Sequence, residues 1–229
     1  MIEDAVQPPD AKERSDLLGV LARAFRDNPM NVALHGPRPA RRVRANRAGL
    51  KALVLDDHRA AEARVIRHEG RVVGGWVAMP PGLHTLPSPA WTRQIGCFLH
   101  QGARAMDGWG QVAQVLGVLR PIVDHWYLAV IGVEPALQGR GFGGRLLDAL
   151  VELAAERSLP VYLESDRYAS VHFYRSRGFV DRDEVRVHGV QCWCLGRGFA
   201  DESSDLCDSV RQAGPCRPNP PQSSGPNGP

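Results

Sequence analysis

Residues 126–157 constrain the fold more tightly than any other stretch of the chain. WYLAVIGV, Trp126 to Val133, is apolar nearly throughout, as expected of a strand covered on both faces. Glu134–Gln138 follow, then Gly139-Arg140-Gly141-Phe142-Gly143-Gly144, and then a helical pattern from about Gly141 to Arg157. Its apolar positions, Phe142, Leu146, Ala149, Leu150 and Leu153, recur by threes and fours. A buried strand, a glycine-rich turn and an amphipathic helix place a helix N-terminus at the end of a strand. Backbone N–H groups in such a turn converge, and the helix start adds partial positive charge, so anionic oxygens bind there. Gly141 and Gly143 lack the Cβ atoms that would hold a pyrophosphate off the backbone, and Arg140 and Arg145 add charge at the rim.

Two phosphate patterns fit these letters. Gly139, Gly141 and Gly144 satisfy the dinucleotide fingerprint G-x-G-x-x-G, and Glu164 lies twenty residues beyond. Gln138, Gly141 and Gly143 satisfy Q-x-x-G-x-G, the form of an acyl-CoA loop. The dinucleotide reading fails on context. Its first glycine follows the strand directly, in the opening unit of a long parallel sheet. Here five residues intervene, the strand follows a hairpin, and the roughly 55 residues left cannot supply further βαβ units of about 30 each. The other reading needs one strand, one loop and one helix start. On spacing alone the loop is either that phosphate site or a tight turn into a helix.

The remaining chain supplies the frame. Pro8-Pro9-Asp10 opens a helix carrying Leu17, Leu18, Leu21, Ala24 and Phe25, ended by Asp27-Asn28-Pro29. A second helix is expected over 39–58, with Arg41, Arg44 and Arg47 on a solvated face. Glu62–His68 and Arg71–Met79 read as strands joined by a Glu69-Gly70 turn. Residues 80–89 read as loop, and 91–120 as helix broken at Gly108 and Gly110. Pro160–Glu164 is a short strand, and Tyr168–Arg177 a short helix stopped by Gly178. Phe179–Val187 and Gln191–Leu195 are strands around His188-Gly189. From 199 to 229 the chain is rich in Pro, Gly and Ser and cannot offset its ordering entropy, so a disordered tail is expected after a domain over 1–198.

Composition excludes more than it selects. A formal net charge of +3 over 229 residues is too mild for a nucleic-acid footprint. No apolar run approaches the roughly 20 residues of a membrane helix, and MIEDAVQPPD lacks a signal-like core, which points to the cytoplasm. Five cysteines, an odd number, suit reduced thiols. Cys192 and Cys194 share a strand face without further ligands at metal spacing, so no metal is expected.

HWYLAVIGVEPALQGRGFGGRLL, followed thirty residues on by HFYRSRGF, resembles the GNAT superfamily of acetyl-CoA-dependent N-acetyltransferases. The resemblance is clear over 125–195 and faint over 10–80. HWYL, QGRGFG, YLES, FYRSRGF and CWCLGR resemble the puromycin N-acetyltransferase-like group in particular. It implies an α/β fold: a mixed, mostly antiparallel central sheet, split beside the core strand and flanked by helices on both faces. Acetyl-CoA, as cosubstrate, would lie in the split. Its diphosphate would meet Gln138, Gly139, Arg140, Gly141, Phe142, Gly143 and Gly144, and its pantetheine would run along Ile131, Gly132 and Val133. Related chains often carry Asn where this one has Arg167 and Ser170, leaving Ser170 as a candidate hydroxyl contact.

Acetyl transfer to an amine needs a proton acceptor, a stabilised carbonyl oxygen and a protonated leaving thiolate. Gly132 in a β-branched strand suggests a bulge or a close approach, freeing an N–H, that of Ile131, for the thioester oxygen. The resemblance places Tyr174 beside the coenzyme sulfur, as general acid. Glu164, at the end of the neighbouring strand, is a candidate base or amine anchor, and His125 is the other candidate. Cys97 has no recognisable activating partner. The expected acceptor is the primary amine of a small molecule, an antibiotic or other xenobiotic among the candidates, handled by a monomer or homodimer. A protein amine, or a coenzyme-binding module without turnover, are the alternatives.

Overall fold

The computed structural model describes residues 5–54, 61–82 and 91–200. The helices are α1 (Ala11–Ala24), α2 (Pro29–His35), α3 (Pro39–Val54), α4 (Trp91–Gln101), α5 (Ala103–Gly117), α6 (Phe142–Ala155) and α7 (Tyr168–Arg175). The strands are β1 (Glu62–His68), β2 (Arg71–Met79), β3 (Trp126–Val133), β4 (Val161–Ser165), β5 (Val180–Val187) and β6 (Val190–Arg197). The unit these elements build closes at Gly198. The expected tail lies outside the described residues from 201 onward. So do the end of the helix expected over 39–58 and most of the loop expected over 80–89.

The strands form one six-stranded sheet in the order β1-β2-β3-β4-β6-β5. Every pairing is antiparallel except β3 with β4. That parallel pair is short, joining Trp126–Leu128 to Val161–Leu163. Beyond Leu128 the two strands part, and the sheet splits. Both hairpins turn on residues with positive φ, Glu69-Gly70 and His188-Gly189. This backbone matches the twist of the flanking strands.

Helices cover both faces. On one, Leu146, Leu147 and Leu150 of α6 and Val171 of α7 pack with Trp126, Leu128, Val161, Leu163 and Leu195 in the main core. On the other, Leu17 and Leu21 of α1 pack on Ala63, Val65 and Val77. Asp10 and Glu13 close a capping box at the start of α1.

Three expectations change. α1 ends at Ala24 with Phe25 as its C-cap, ahead of Asp27-Asn28-Pro29, and Pro29 begins α2, because proline at the first helical position gives up an N–H that has no partner there anyway. The break between α4 and α5 falls at Gly102, with φ +84, and not at Gly108 or Gly110, which lie inside α5. Gly108 is there for packing, since a Cβ would stand 2.5 Å from Leu34. The bulge in β3 lies at Ala129, where the register against β2 slips between Leu128 and Val130, and not at Gly132.

Candidate active site

The parting of β3 and β4 opens a cavity of about 660 Å³. Its floor is the unpaired edge of β3. The Glu134 N–H donates to the Val73 carbonyl at 2.8 Å. Alternation along an antiparallel ladder then turns the N–H and C=O of Gly132 toward β2, and those of Ile131 and Val133 toward the open edge. The Val133 carbonyl is taken by Gln138, whose Nε2 donates to it at 3.1 Å and fastens the loop to the strand end. The Ile131 groups face the cavity.

Gly132 lines the same cavity and also seats a helix. It pairs with Gly75 across β2 and β3. A Cβ on Gly132 would come within 2.9 Å of Leu21 and 3.0 Å of Ala24, and one on Gly75 within 2.6 Å of Leu17. The two glycines form a trough in which α1 seats, bringing Ala24 and Phe25 to the cavity wall.

The second wall is the start of α6. Gly141 is its N-cap, at φ +87 and without a capping side chain. The first backbone bond of the helix runs from the Arg145 N–H to the Gly141 carbonyl at 3.2 Å. The N–H groups of Phe142, Gly143 and Gly144 therefore lie ahead of the ladder, at the positive end of the helix dipole. Phe142 turns its ring into the core, so its part here is the backbone. A Cβ on Gly143 would make only ordinary contacts, 3.9 Å from Phe173 and Val133. Gly144 is filled from within, because the Arg177 guanidinium lies where its Cβ would be. Gly139 lines the cavity, whereas Arg140 is exposed and does not.

β4 and α7 form the third wall, with Glu164, Ser170 and Tyr174 lining the cavity. Tyr174 is buried, its ring 5.4 Å from that of Phe173 and 5.8 Å from that of Phe179. Burial, reinforced by the charge of Asp166, pushes its phenol well above the usual value. A Schellman turn at Gly178 holds the end of the helix, the Phe179 N–H donating to the Tyr174 carbonyl at 3.2 Å.

Glu164 is already engaged. Arg120 Nε donates to Oε1 at 2.9 Å and the Tyr127 hydroxyl to Oε2 at 2.6 Å. Arg120 also donates to that hydroxyl at 2.8 Å and lies 3.9 Å over the Tyr127 ring. The Glu164 side chain is 8% exposed. His125 does not line the cavity. It is buried against Tyr162, and its Nδ1–H donates to the Val123 carbonyl at 2.7 Å.

Sequence reading missed Asp166. It lines the cavity two residues past Glu164, just beyond the end of β4, and that two-residue spacing was the signal that could have found it. Its Oδ1 accepts from Asn28 Nδ2 at 3.2 Å and its Oδ2 from the Met30 N–H at 2.7 Å. Burial raises its carboxyl above the usual range.

The three described cysteines are unsuited to nucleophilic work. Burial raises the Cys192 thiol to about 12, the Cys194 thiol to about 11, and that of Cys97 as well. Among the described residues no three His, Cys, Asp or Glu side chains gather as a metal cluster, and no helix is long and apolar enough to cross a membrane.

Comparison with known proteins gives a consistent family. The model of the Acetyltransferase (GNAT) family matches residues 35–179. N-alpha-acetyltransferase RimI of Mycobacterium tuberculosis is 43% identical over 79 residues, which is 32% of this chain and 49% of that protein. Mycothiol acetyltransferase of Clavibacter sepedonicus is 30% identical over 203 residues, 73% of this chain and 64% of that protein. The chain thus spans about half the length of the first relative and less than two thirds of the second. A crystal structure of a histone acetyltransferase-related acetyltransferase from Corynebacterium glutamicum superposes with a TM-score of 0.65 at 20% identity, over 88% of this chain and 99% of that one. It shares the fold.

Proposed function

This chain belongs to the GNAT acetyltransferase family, whose acetyl donor is acetyl-CoA, and from that premise we propose that it acetylates the primary amine of a small molecule. The observation that carries this reading is one cavity in which three features meet. They are the open edge of β3, the uncapped start of α6 and the protonated phenol of Tyr174.

The N–H groups of Phe142, Gly143 and Gly144 bind the coenzyme's diphosphate, with Gly139 and Gly141 shaping the approach and Arg140 adding charge from outside. The pantetheine amides pair with the free edge of β3 at Ile131 and at the Val133 N–H, as an added strand would. Gln138 holds the loop in place by its bond to β3. Ser170 faces the same cavity and offers a hydroxyl. The thioester oxygen then points at the Ile131 N–H, and a donor so placed contributes about 3 kcal/mol to the transition state. The amine attacks the thioester carbon directly, the C–S bond breaks, and Tyr174 gives its proton to the departing thiolate. Glu164, clamped by Arg120 and Tyr127, is a fixed wall on the acceptor side.

Likeness to the puromycin N-acetyltransferase-like group and to mycothiol acetyltransferase supports a small acceptor, an antibiotic or other xenobiotic amine included. Likeness to RimI supports a second reading, in which the acceptor is a protein N-terminus. The catalytic unit is residues 1–198, acting in the cytoplasm as a monomer or homodimer.

Calorimetry with CoA, then thiol release from acetyl-CoA against alkylamines, diamines, puromycin and peptides with free N-termini, tests this. Micromolar CoA binding and a product heavier by one acetyl group are expected. No heat with CoA or acetyl-CoA on folded protein overturns the reading, and turnover confined to peptides selects the second. CoA binding with no turnover of any amine leaves a binding module.

A further inference from the structure

We infer that Asp166, rather than Glu164, takes the proton from the acceptor's ammonium group and anchors it for attack, an inference that rests on the acetyl-transfer reading above. Glu164 and Asp166 both line the cavity. Their surroundings give them different work. Each Glu164 oxygen has a strong donor, Arg120 on one and Tyr127 on the other. To receive a proton, Glu164 would have to give up a charged partner that is itself held over the Tyr127 ring. Such a carboxylate stays bound to its donors.

Asp166 has neutral donors, the Asn28 amide and the Met30 N–H. A carboxylate has about four lone-pair positions, so about two remain. Among the described residues no cation forms an ion pair with it. It is half-buried and faces the same space as Tyr174, close enough for its charge to bear on that phenol. The charged or titratable groups that face it are Arg167 beside it, Tyr174 on α7 and Cys192 on β6. The start of α2 presents the Asn28 amide and the Met30 N–H to it. A partly buried carboxylate without a cation is completed by a cationic ligand. The acceptor's ammonium is that cation.

Protons balance in this scheme. The ammonium gives one proton to Asp166, and the neutral amine forms the C–N bond. As the C–S bond breaks, Tyr174 protonates the thiolate and is restored by the second proton leaving nitrogen. Asp166 then releases its proton to solvent, giving amide, CoA thiol and one H⁺.

The experiment uses the full chain, acetyl-CoA and two nucleophiles: the best acceptor in the amine panel that is protonated at neutral pH, and hydroxylamine, which is not. Asp166→Asn keeps an oxygen for the Met30 N–H. It is expected to lower kcat/KM for the protonated amine by about 10²-fold or more and to abolish the acidic limb of the pH–rate profile. The loss with hydroxylamine is expected to be at least tenfold smaller than with the protonated amine, the Kd for CoA to be unchanged, Asp166→Glu to recover part of the rate, and Glu164→Gln to keep the acidic limb. Equal losses with both nucleophiles would reduce Asp166 to a clasp for α2 and overturn the inference. So would an intact acidic limb in Asp166→Asn, or a wild type that binds CoA yet accepts no protonated amine. Should Asp166→Asn not fold, the wild-type profile decides. It must show a group titrating above the ordinary carboxylate range, and a rate following only the free-amine fraction overturns the inference. Failure to bind CoA at all brings down the acetyl-transfer reading with it.

Discussion

Burial and the neighbouring charge of Asp166 both raise the Tyr174 phenol, so it keeps its proton throughout neutral and mildly alkaline pH. For a general acid the direction matters: the donor form is the resting form, and any basic limb it sets lies above about pH 10. Tyr174→Phe is expected to lower kcat by tenfold or more while leaving the Kd for CoA unchanged, since general-acid loss costs roughly 10²–10⁴. Unchanged turnover at saturating substrate would remove Tyr174 from the chemistry. Glu164 was legible in the sequence as a carboxylate at a strand end, but its state was not. Its partner Arg120 is 44 residues away in the chain, and no periodicity links the two. Asp166, two residues beyond, went unread, and its donors come from the start of α2, 136 and 138 residues away.

At the scale of elements, the glycines of β3 and of the loop do different work, and substitution separates them. Gly132→Val drives a side chain into Leu21 and Ala24 of α1. It is expected to cost about 1–3 kcal/mol in urea denaturation, as overpacking does. Gly143→Ala meets only ordinary contacts and improves helix propensity, so stability holds or rises slightly. On the proposed diphosphate site the added methyl would meet the ligand, and the Kd for CoA is expected to weaken by about tenfold, or 1.4 kcal/mol. A Gly143→Ala protein with wild-type CoA affinity would move the phosphate site away from α6. The corner joining α1, α2 and α3 makes a different prediction. Arg26, and then the buried Arg42, hold the Asp27 carboxyl at about 2. Its folded pKa is depressed, so its contribution is present above the ordinary carboxylate pKa and lost as pH falls toward 2. Asp27→Asn is expected to lower the melting temperature at neutral pH and to flatten its fall between pH 4 and about pH 2. Parallel curves for the two proteins would show that the pair contributes nothing.

For the whole molecule, the unit that ends at Gly198 makes a truncation prediction. A chain ending at residue 198 is expected to keep the melting temperature and CoA affinity of the full protein, and loss of either would assign the tail a share in the fold. Much of the framework was readable in one dimension. β1, β2 and β3 run over the residues expected, and both hairpin turns fall where the letters place them, because strand alternation and positive-φ turns are local properties. The strand–loop–helix unit from Trp126 onward is of the same kind: neighbouring residues and backbone geometry determine it, and with it the place where phosphates could bind. Tertiary structure decided the rest. That β3 and β4 part after Leu128 and Leu163, that Gly132 receives a helix, that Arg120 neutralises Glu164, and that Asp166 is left facing the cavity without a cation all depend on segments far apart in sequence. Such contacts follow from how helices and sheet pack in three dimensions, and a periodicity read along one segment carries no record of its distant partner.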